Sequence, residues 1–287
     1  MKANRFNTLK ETKSRFLSLS LPVEKTMGKV HSVFTTSFNV EVNAQLINFS
    51  RIGMSLSAHG CLLKKESMDQ LLNVCRPGDL VRVDKGIFTF YTSQEIIRVD
   101  CSKMEEIDLS IPNLEVSIRG ITQTPSYSVL RSLPYKEEMG LEDEGLTHEA
   151  FDVLRNVNES EKEDIERTID HLIGRGKGLT PSGDDILVGF TMIRKAFLAA
   201  EAFESLLSQR LEKRHTTDIS LAYFKALFSG FVSSQFVTLI ESLEKEDFQE
   251  VEEHIKRIGK YGHTSGYDTL FGFYLGLQSL IDEREEL

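Results

Sequence analysis

Glycines, cations and carboxylates are concentrated in one stretch, 174–185, which reads Gly-Arg-Gly-Lys-Gly-Leu-Thr-Pro-Ser-Gly-Asp-Asp. A helical pattern of apolar residues precedes it over 161–173, and a second such pattern follows it directly. Gly174 stands where a helix-terminating glycine belongs, and Thr180 before Pro181 is typical of a helix N-cap. Unpaired N–H groups at a helix N-terminus favour an anion. The residues expected to contact that anion are Arg175, Gly176, Lys177, Gly178, Thr180, Ser182 and Gly183.

A second copy of this pattern lies near the C-terminus. Residues 182–190 and 265–273 both read S-G-x-D-x-L-x-G-F, offset by 83 residues (265 − 182). We interpret this as an internal duplication of a helix–Gly loop–helix unit. Gly189 and Gly272 would lie inside helices, where glycine costs roughly 1 kcal/mol relative to alanine unless the helices cross closely there. Such a crossing would bring both N-termini to one anion site and add Thr264, Ser265 and Gly266. Alternatively, the glycines are packing notches and the loops are ordinary turns.

Three aspartates and one histidine are the candidate catalytic residues. Asp185 and Asp268 are equivalent in the two copies, and together with Asp184 they could hold a divalent cation such as Mg²⁺ beside a phosphate. The alternative is that they cap the helices and balance the helix dipole. His263 lies in the second loop and is either a general acid–base or a solvated histidine.

Two hydroxyl residues form a further candidate pair. Thr216 and Ser220 are one helical turn apart, so they either donate hydrogen bonds to the anion or start a helix. Arg175 and Lys177 are anion clamps or solvated loop cations.

The loop does not fit G-x-x-x-x-G-K-[ST] or G-x-G-x-x-G, and no G-x-S-x-G elbow is present, so nucleotide-binding folds gain no support. A Ser160-x-x-Glu163 capping box is expected before the helix that feeds the first loop.

Composition limits the possible partners. The chain has 287 residues, 40% hydrophobic and 27% charged, with a net charge of −10. An acidic protein is not expected to bind nucleic acid or an anionic membrane, so the loop cations suit a small anion instead. Three cysteines without C-x-x-C spacing indicate neither a disulfide framework nor a zinc site. Without an apolar run of about 18 residues or a signal peptide, we expect a cytoplasmic protein.

The pattern of elements changes along the chain. Residues 1–20 form a basic lead-in with weak structure, and 136–145 form an acidic linker. We therefore expect an α+β protein, with a β-rich domain over 1–135 that forms a small barrel or sandwich and an all-α domain over 146–287. Strands are expected at 30–38, 45–52, 80–83, 87–91, 95–99 and 114–118, with a hairpin turn at Lys85-Gly86. Helices are expected near 203–214, within 221–243 (broken near Gly230), and over 248–258 and 268–281.

The stretch Gly-Leu-Thr-Pro-Ser-Gly-Asp-Asp, at 178–185, resembles the signature of a bacterial family long described as a domain of unknown function. One branch of that family is the third (AllH-type) subunit of oxamate carbamoyltransferase. The resemblance extends to 30–34, 216–230 and 262–268. It implies anaerobic breakdown of purines or allantoin, in which oxalurate and phosphate give oxamate and carbamoyl phosphate, and it implies two partner subunits that share the active site. A non-catalytic scaffold and a Mg²⁺-dependent phosphoryl-transfer enzyme are the alternatives.

Overall fold

The computed structural model describes residues 10–142, 144–260 and 262–281, and these residues fall into two compact units. The first unit holds the described residues up to Ser110 together with Phe231–Gln235. The second holds the described parts of Ile111–Gly230 and of the chain from Phe236 onward. The expected α+β class is confirmed, because the first unit is built on a sheet and the second is helical. The domain limits of 1–135 and 146–287 stay a prediction, although 111–135 belongs by its contacts to the helical unit.

The described residues of the first unit form a single curled sheet of nine strands, in the order β8-β7-β6-β2-β3-β4-β5-β1-β9. The β4–β5 and β1–β9 pairs are parallel, and the other neighbours are antiparallel. The strands are β1 (Thr12–Ser14), β2 (Thr26–Val33), β3 (Ser37–Val42), β4 (Gln45–Arg51), β5 (Gly60–Leu63), β6 (Leu80–Asp84), β7 (Ile87–Tyr91), β8 (Ile96–Asp100) and β9 (Glu105–Ile107). The helices α1 (Arg15–Ser20) and α2 (Lys65–Val74) accompany them.

Turn chemistry and aromatic packing account for the centre of this sheet. Lys85 and Gly86 have φ values of 49° and 79°, which a tight two-residue hairpin requires, so the expected turn between β6 and β7 is confirmed. Alternate residues of β3, β4 and β7 point inward and pack their rings together, face to face for Phe38 and Phe49 and edge to face for Phe49 with Phe88 and Phe90. Four of these rings are fully buried: Phe38, Phe49, Phe88 and Phe90.

Several expectations for this half of the chain are wrong. The run 30–38 is interrupted, because the Phe34 N–H bonds the Ser37 carbonyl and separates β2 from β3. Residues 114–118 form no strand, since the N–H groups of Leu114 and Glu115 bond Ala196 and Glu244 instead. In the lead-in, the described residues 10–20 contain β1 and α1, whereas 1–9 lie outside the described part.

The second unit contains ten helices among its described residues, of which α10 begins in the segment assigned to the first unit. Within the ranges that the structure covers, none of the helices is both long and apolar enough to traverse a lipid bilayer. The helices are α3 (Pro125–Arg131), α4 (Tyr135–Glu138), α5 (Gly145–Arg155), α6 (Lys162–Leu172), α7 (Ser182–Ala196), α8 (Glu201–Leu211), α9 (Asp218–Phe228), α10 (Ser234–Glu241), α11 (Phe248–Gly259) and α12 (Ser265–Gln278).

Helices α7 and α12 form the centre of the helical unit and cross at their glycines. A Cβ atom on Gly189 would lie 2.1 Å from the Thr269 carbonyl oxygen, and one on Gly272 would lie 2.0 Å from the Ile186 carbonyl oxygen. These two contacts are reciprocal, because Gly272 and Thr269 follow Gly189 and Ile186 by 83 residues each. The expected glycine crossing of two duplicated helices is therefore present, and both helices are buried along most of their length.

Candidate functional site

The glycine crossing brings the two loops together at the N-termini of α7 and α12. The hydroxyl oxygens of Thr180 and Ser265 lie 2.7 Å apart, within hydrogen-bonding distance. The first loop folds back over its own helix, so that a Cβ on Gly176 would lie 2.6 Å from the Ser182 nitrogen. Gly176 also has a φ of 116°, which disfavours any residue with a side chain. The first loop therefore requires glycine at this position.

The two aspartates that the repeat made equivalent exchange partners between the copies. The Asp185 carboxyl group is approached by the hydroxyls of Ser265 and Thr180. The Asp268 carboxyl group is approached in the same way by those of Ser182 and Thr264. Each aspartate thus takes a serine from the other copy and a threonine from its own, an approximate two-fold arrangement that agrees with the sequence repeat.

Both carboxyl groups are buried, and burial dominates their ionisation. Asp268 is fully buried and Asp185 is 7% exposed. Burial raises the pKa of Asp185 well above its usual range, against the hydrogen bond of Ser265, and the nearby Asp268 charge raises it further. Burial likewise raises the pKa of Asp268. Within the described chain, the Oδ2 atom of each carboxyl group has no hydrogen-bond partner.

Asp184 belongs to a neighbouring cluster with a bracing role. Its Oδ1 atom accepts a 2.8 Å hydrogen bond from the Gly174 N–H, and its Oδ2 atom accepts one from the Thr216 hydroxyl. Ser220, at the start of α9, is buried and also approaches this carboxyl group. Thr216 and Ser220 thus both reach Asp184, and their expected contact with an anion stays a prediction. Burial raises the pKa of Asp184 against these hydrogen bonds. The cluster joins the end of α6 to the starts of α7 and α9.

The three aspartates do not form a metal centre in this structure. In the described ranges, no three His, Cys, Asp or Glu side chains converge on a position that could hold a metal ion. Asp184 is occupied by Gly174 and Thr216, which leaves two carboxyl groups for a cation. The expected Mg²⁺ site therefore stays a prediction without support from this geometry.

Three first-turn amides of α7 are already engaged. The Gly183 N–H bonds the Arg175 carbonyl at 2.8 Å, and those of Asp184 and Asp185 bond the Pro181 carbonyl. The expected Thr180 N-cap is wrong, because Pro181 itself is the N-cap, and none of the described side chains caps α7. In the second loop, Gly266 packs against the end of α11: a Cβ added there would lie 2.0 Å from the Ile258 carbonyl oxygen. Side-chain hydroxyl and carboxyl groups, more than helix amides, are thus what this site offers.

The Ser160-x-x-Glu163 capping box does not form either. The Ser160 hydroxyl bonds the Asn156 carbonyl, and Glu161 is the N-cap of α6 without a side-chain bond. The start of α6 is instead set by the preceding turn, in which the Ser160 N–H also bonds Asn156. A side chain that satisfies carbonyls at the end of α5 is not free to cap α6.

Comparison with protein-family models decides the family. The model described as oxamate carbamoyltransferase subunit AllH matches residues 172–277, and the model of the AllH family N-terminal domain matches residues 8–106. The chain belongs to the AllH family. The first of these ranges begins at the end of α6 and stops within α12, so it contains both glycine loops and the crossing helices. No solved structure matches the chain.

The remaining members of the expected site lie outside the buried cluster of this AllH chain. Arg175, Lys177, Gly178 and His263 are exposed. The Arg175 Nε atom donates to the His171 carbonyl at 2.7 Å, and this side chain lines a separate cleft. His263 has a φ of 63°, a left-handed conformation that is uncommon for a residue with a side chain.

Sequence reasoning missed Gly140, which lies directly against the Asp268 carboxyl group and the hydroxyls of Ser182 and Thr264. Its N–H donates a 2.9 Å hydrogen bond to Asp268 Oδ1, and a Cβ added to it would lie 2.1 Å from the Ser182 hydroxyl oxygen. The stretch 136–145 is therefore no simple linker, because part of it covers the site. The glycine inside an acidic run was the one available signal, and both family models leave this stretch unmatched.

Proposed function

We propose that this AllH-family chain acts in oxamate carbamoyltransferase by holding the transferred carbamoyl group at Asp185 and Asp268. The supporting observation is that each of these buried carboxyl groups leaves Oδ2 without a partner in the described chain. A buried polar atom left unpaired costs roughly 1–3 kcal/mol. A ligand that supplies the missing hydrogen bonds would remove that cost.

The two carboxyl groups suit the two ends of a carbamoyl group. Asp185 has the strongly raised pKa, so we assign it the neutral form, which donates a hydrogen bond to the carbamoyl carbonyl. The pKa of Asp268 is raised less than that of Asp185, because the Gly140 N–H opposes the effect of burial, so we assign Asp268 the ionised form, which would accept from the carbamoyl NH₂. The hydroxyls of Thr180 and Ser265 lie beside Asp185 and would bind phosphate oxygens.

These roles suggest how the chain would assist the reaction that the resemblance implies. A phosphate oxygen attacks the ureido carbonyl carbon of oxalurate, and the bond from that carbon to the oxamate nitrogen breaks. The nitrogen takes up a proton, which gives oxamate and carbamoyl phosphate. As the bond breaks, neutral Asp185 would transfer to that nitrogen the proton it had donated to the carbamoyl carbonyl and would itself become ionised, a contribution of about 10²- to 10⁴-fold when the acid is well placed. Partner subunits would contribute the rest of the site.

The test uses the complete enzyme, assembled with its partner subunits. Asp185→Asn and Asp268→Asn keep the shape of each side chain, so assembly should persist while formation of carbamoyl phosphate from oxalurate and phosphate falls at least about 100-fold. Asp152→Asn is the matched control, because that half-exposed aspartate pairs with Arg155 far from the loops in sequence. Unchanged rates in both variants would remove the carboxyl pair from the proposal.

A second measurement concerns the isolated chain. A ligand that binds the folded state raises the midpoint of thermal unfolding. Carbamoyl phosphate, phosphate and oxamate should therefore each be tested, and a rise that Asp185→Asn abolishes would support binding by this chain alone.

A scaffold without catalysis is the competing function. The observation that favours it is the closed site: Gly140 covers Ser182 and Asp268, and the α7 amides bond within the chain. A scaffold predicts that no small ligand shifts the unfolding midpoint, whereas the partner subunits do. It also predicts that Asp185→Asn alters assembly or stability before it alters the rate per assembled enzyme.

A further inference from the structure

A cleft of about 500 Å³ lies between α5 and α6, beside the first glycine loop. Its volume is within the range of small-molecule sites, roughly 300–1,000 Å³. Each helix presents one face to it, with residues spaced i, i+3, i+4 and i+7. On α5 these residues are Leu146, Glu149, Ala150 and Val153, and on α6 they are Asp164, Arg167, Thr168 and His171.

Most charges around the cleft already have partners. Asp170 is held by Arg210 and Arg214, and the hydrogen bonds of Arg210 first and Arg214 next lower its pKa to about 2. Asp164 pairs with Arg167 on the next turn of α6. These pairs leave little net charge for a ligand to meet at that end of the cleft.

Two charged groups in the lining have no ion-pair partner within the described residues. Arg175 donates only its Nε–H to a carbonyl, so the rest of its guanidinium group is available to a carboxylate. Glu149 is exposed and forms no salt bridge in that part of the chain. His171 lies near both groups, since the charges of Arg175 and Glu149 both act on its imidazole.

The other lining residues indicate which part of a ligand would lie between Arg175 and Glu149. The His171 Nε2 atom lies 3.0 Å from the Thr147 hydroxyl, and this contact holds α5 against α6. Leu146, Ala150 and Val153 form an apolar wall beside Glu149. Leu146 is 65% exposed, so much of its apolar side chain is open to a ligand. An apolar group on a ligand would cover it.

We propose that this cleft binds a small amphipathic amino acid or N-carbamoyl amino acid. Its carboxylate would pair with Arg175, its N–H donors with Glu149, and its apolar side chain would pack against Leu146 and Val153. The shared chemistry is a carboxylate and N–H donors on one carbon that also bears an apolar side chain.

This site is independent of the proposed function. Most of the cleft lining lies between the two matched ranges, which end at residue 106 and begin again at residue 172. The carboxyl pair of Asp185 and Asp268 contributes no side chain to the lining. Loss of cleft binding would therefore leave the carbamoyl-transfer proposal untouched, and the reverse also holds.

Four probes separate the contributions, with binding to the full chain measured by calorimetry. Leucine and N-carbamoyl-leucine carry all three features, 4-methylpentanoate lacks the N–H donors, and 3-methylbutylamine lacks the carboxylate. We expect leucine or N-carbamoyl-leucine to bind, and Arg175→Gln or Glu149→Gln to weaken that binding roughly tenfold or more. Arg98→Gln is the matched control, because Arg98 is an exposed arginine on β8.

Each outcome bears on the proposal. Binding of leucine identifies the amino acid as the source of the ligand chemistry, and binding of N-carbamoyl-leucine alone identifies the ureido acid. Both altered residues are exposed, so their variants should fold, which circular dichroism would verify. No binding by either probe overturns the proposal. So does equal binding of 4-methylpentanoate, or a loss in Arg98→Gln as large as in Arg175→Gln.

Discussion

Replacing Gly189 by alanine tests the helix crossing that positions the candidate site. The added Cβ would lie 2.1 Å from the Thr269 carbonyl oxygen and 2.8 Å from the Phe273 nitrogen. Both atoms belong to the α12 backbone, which cannot rotate away as a side chain can. A carbon atom and a carbonyl oxygen normally approach to about 3.3 Å, so α7 and α12 must separate by roughly 1 Å.

The magnitude follows from two opposing effects. Overpacking a buried contact costs typically 1–3 kcal/mol, occasionally more, whereas alanine gains roughly 1 kcal/mol over glycine inside a helix. Because this overlap is with backbone, we take the upper end of the cost and expect a net loss of about 2 kcal/mol. For a unit of this size, that corresponds to a fall of about 4–8 °C in the unfolding midpoint.

The assay is thermal unfolding followed by far-ultraviolet circular dichroism, which reports mainly on the helical unit. Gly259→Ala is the control, because its Cβ would meet the Tyr267 ring at 3.0 Å, a side chain that can shift. Gly189→Ala combined with Gly272→Ala should cost less than the sum of the single changes, since both separate the same two helices. A Gly189→Ala variant as stable as the parent would refute a crossing this close.

Two further predictions concern pH. Burial raises the pKa of Asp185 in the folded chain above 3.8. The stability that this carboxyl group contributes is therefore present below about pH 4 and is lost as the pH rises and the group ionises. Asp185→Asn should remove this loss, so the free energy of unfolding in urea should fall less steeply above about pH 4. Asp170 has the opposite sign: its pKa is lowered from 3.8 to about 2, so Asp170→Asn should destabilise the chain at neutral pH, and the difference should shrink as pH falls towards 2.

Each pH series has its own contradicting result. If the parent and Asp185→Asn show parallel pH profiles, the Asp185 carboxyl group is not buried in solution. If the Asp170→Asn deficit persists unchanged in acid, the loss comes from packing and not from the pairs with Arg210 and Arg214.

The sequence predicted the central helices because their determinants are local and repeated. The glycines of S-G-x-D-x-L-x-G-F predicted both the close approach of Gly189 and Gly272 and the meeting of the two loops. Turn residues predicted the β6–β7 hairpin in the same way. The strand predicted at 114–118 is wrong for the opposite reason. Apolar and polar residues alternate there as in a strand, but the backbone bonds distant residues, as the Leu114 N–H bonds the Ala196 carbonyl.

The site itself was predicted only in part. Shared positions in the repeat identified Asp185 and Asp268, yet the exchange of serines between copies depends on the crossing geometry and is invisible in one copy. Gly140 was missed because it lies far from both loops in sequence. Arg175 and Lys177 were assigned to the anion site because they lie near the loop in sequence. The Arg175 side chain instead lines a different cleft, because its Nε–H bonds the His171 carbonyl.

The exchange of serines has a practical consequence for anyone who wishes to transplant this arrangement. Neither helix–loop–helix segment carries a full set of contacts for its own aspartate, because Asp185 depends on Ser265 and Asp268 depends on Ser182. Grafting one loop onto another scaffold would transfer half of a binding environment. The smallest unit that could be transferred comprises both segments and the packing that fixes the angle between them. The two halves are therefore equivalent to an obligate dimer whose subunits are joined in one chain.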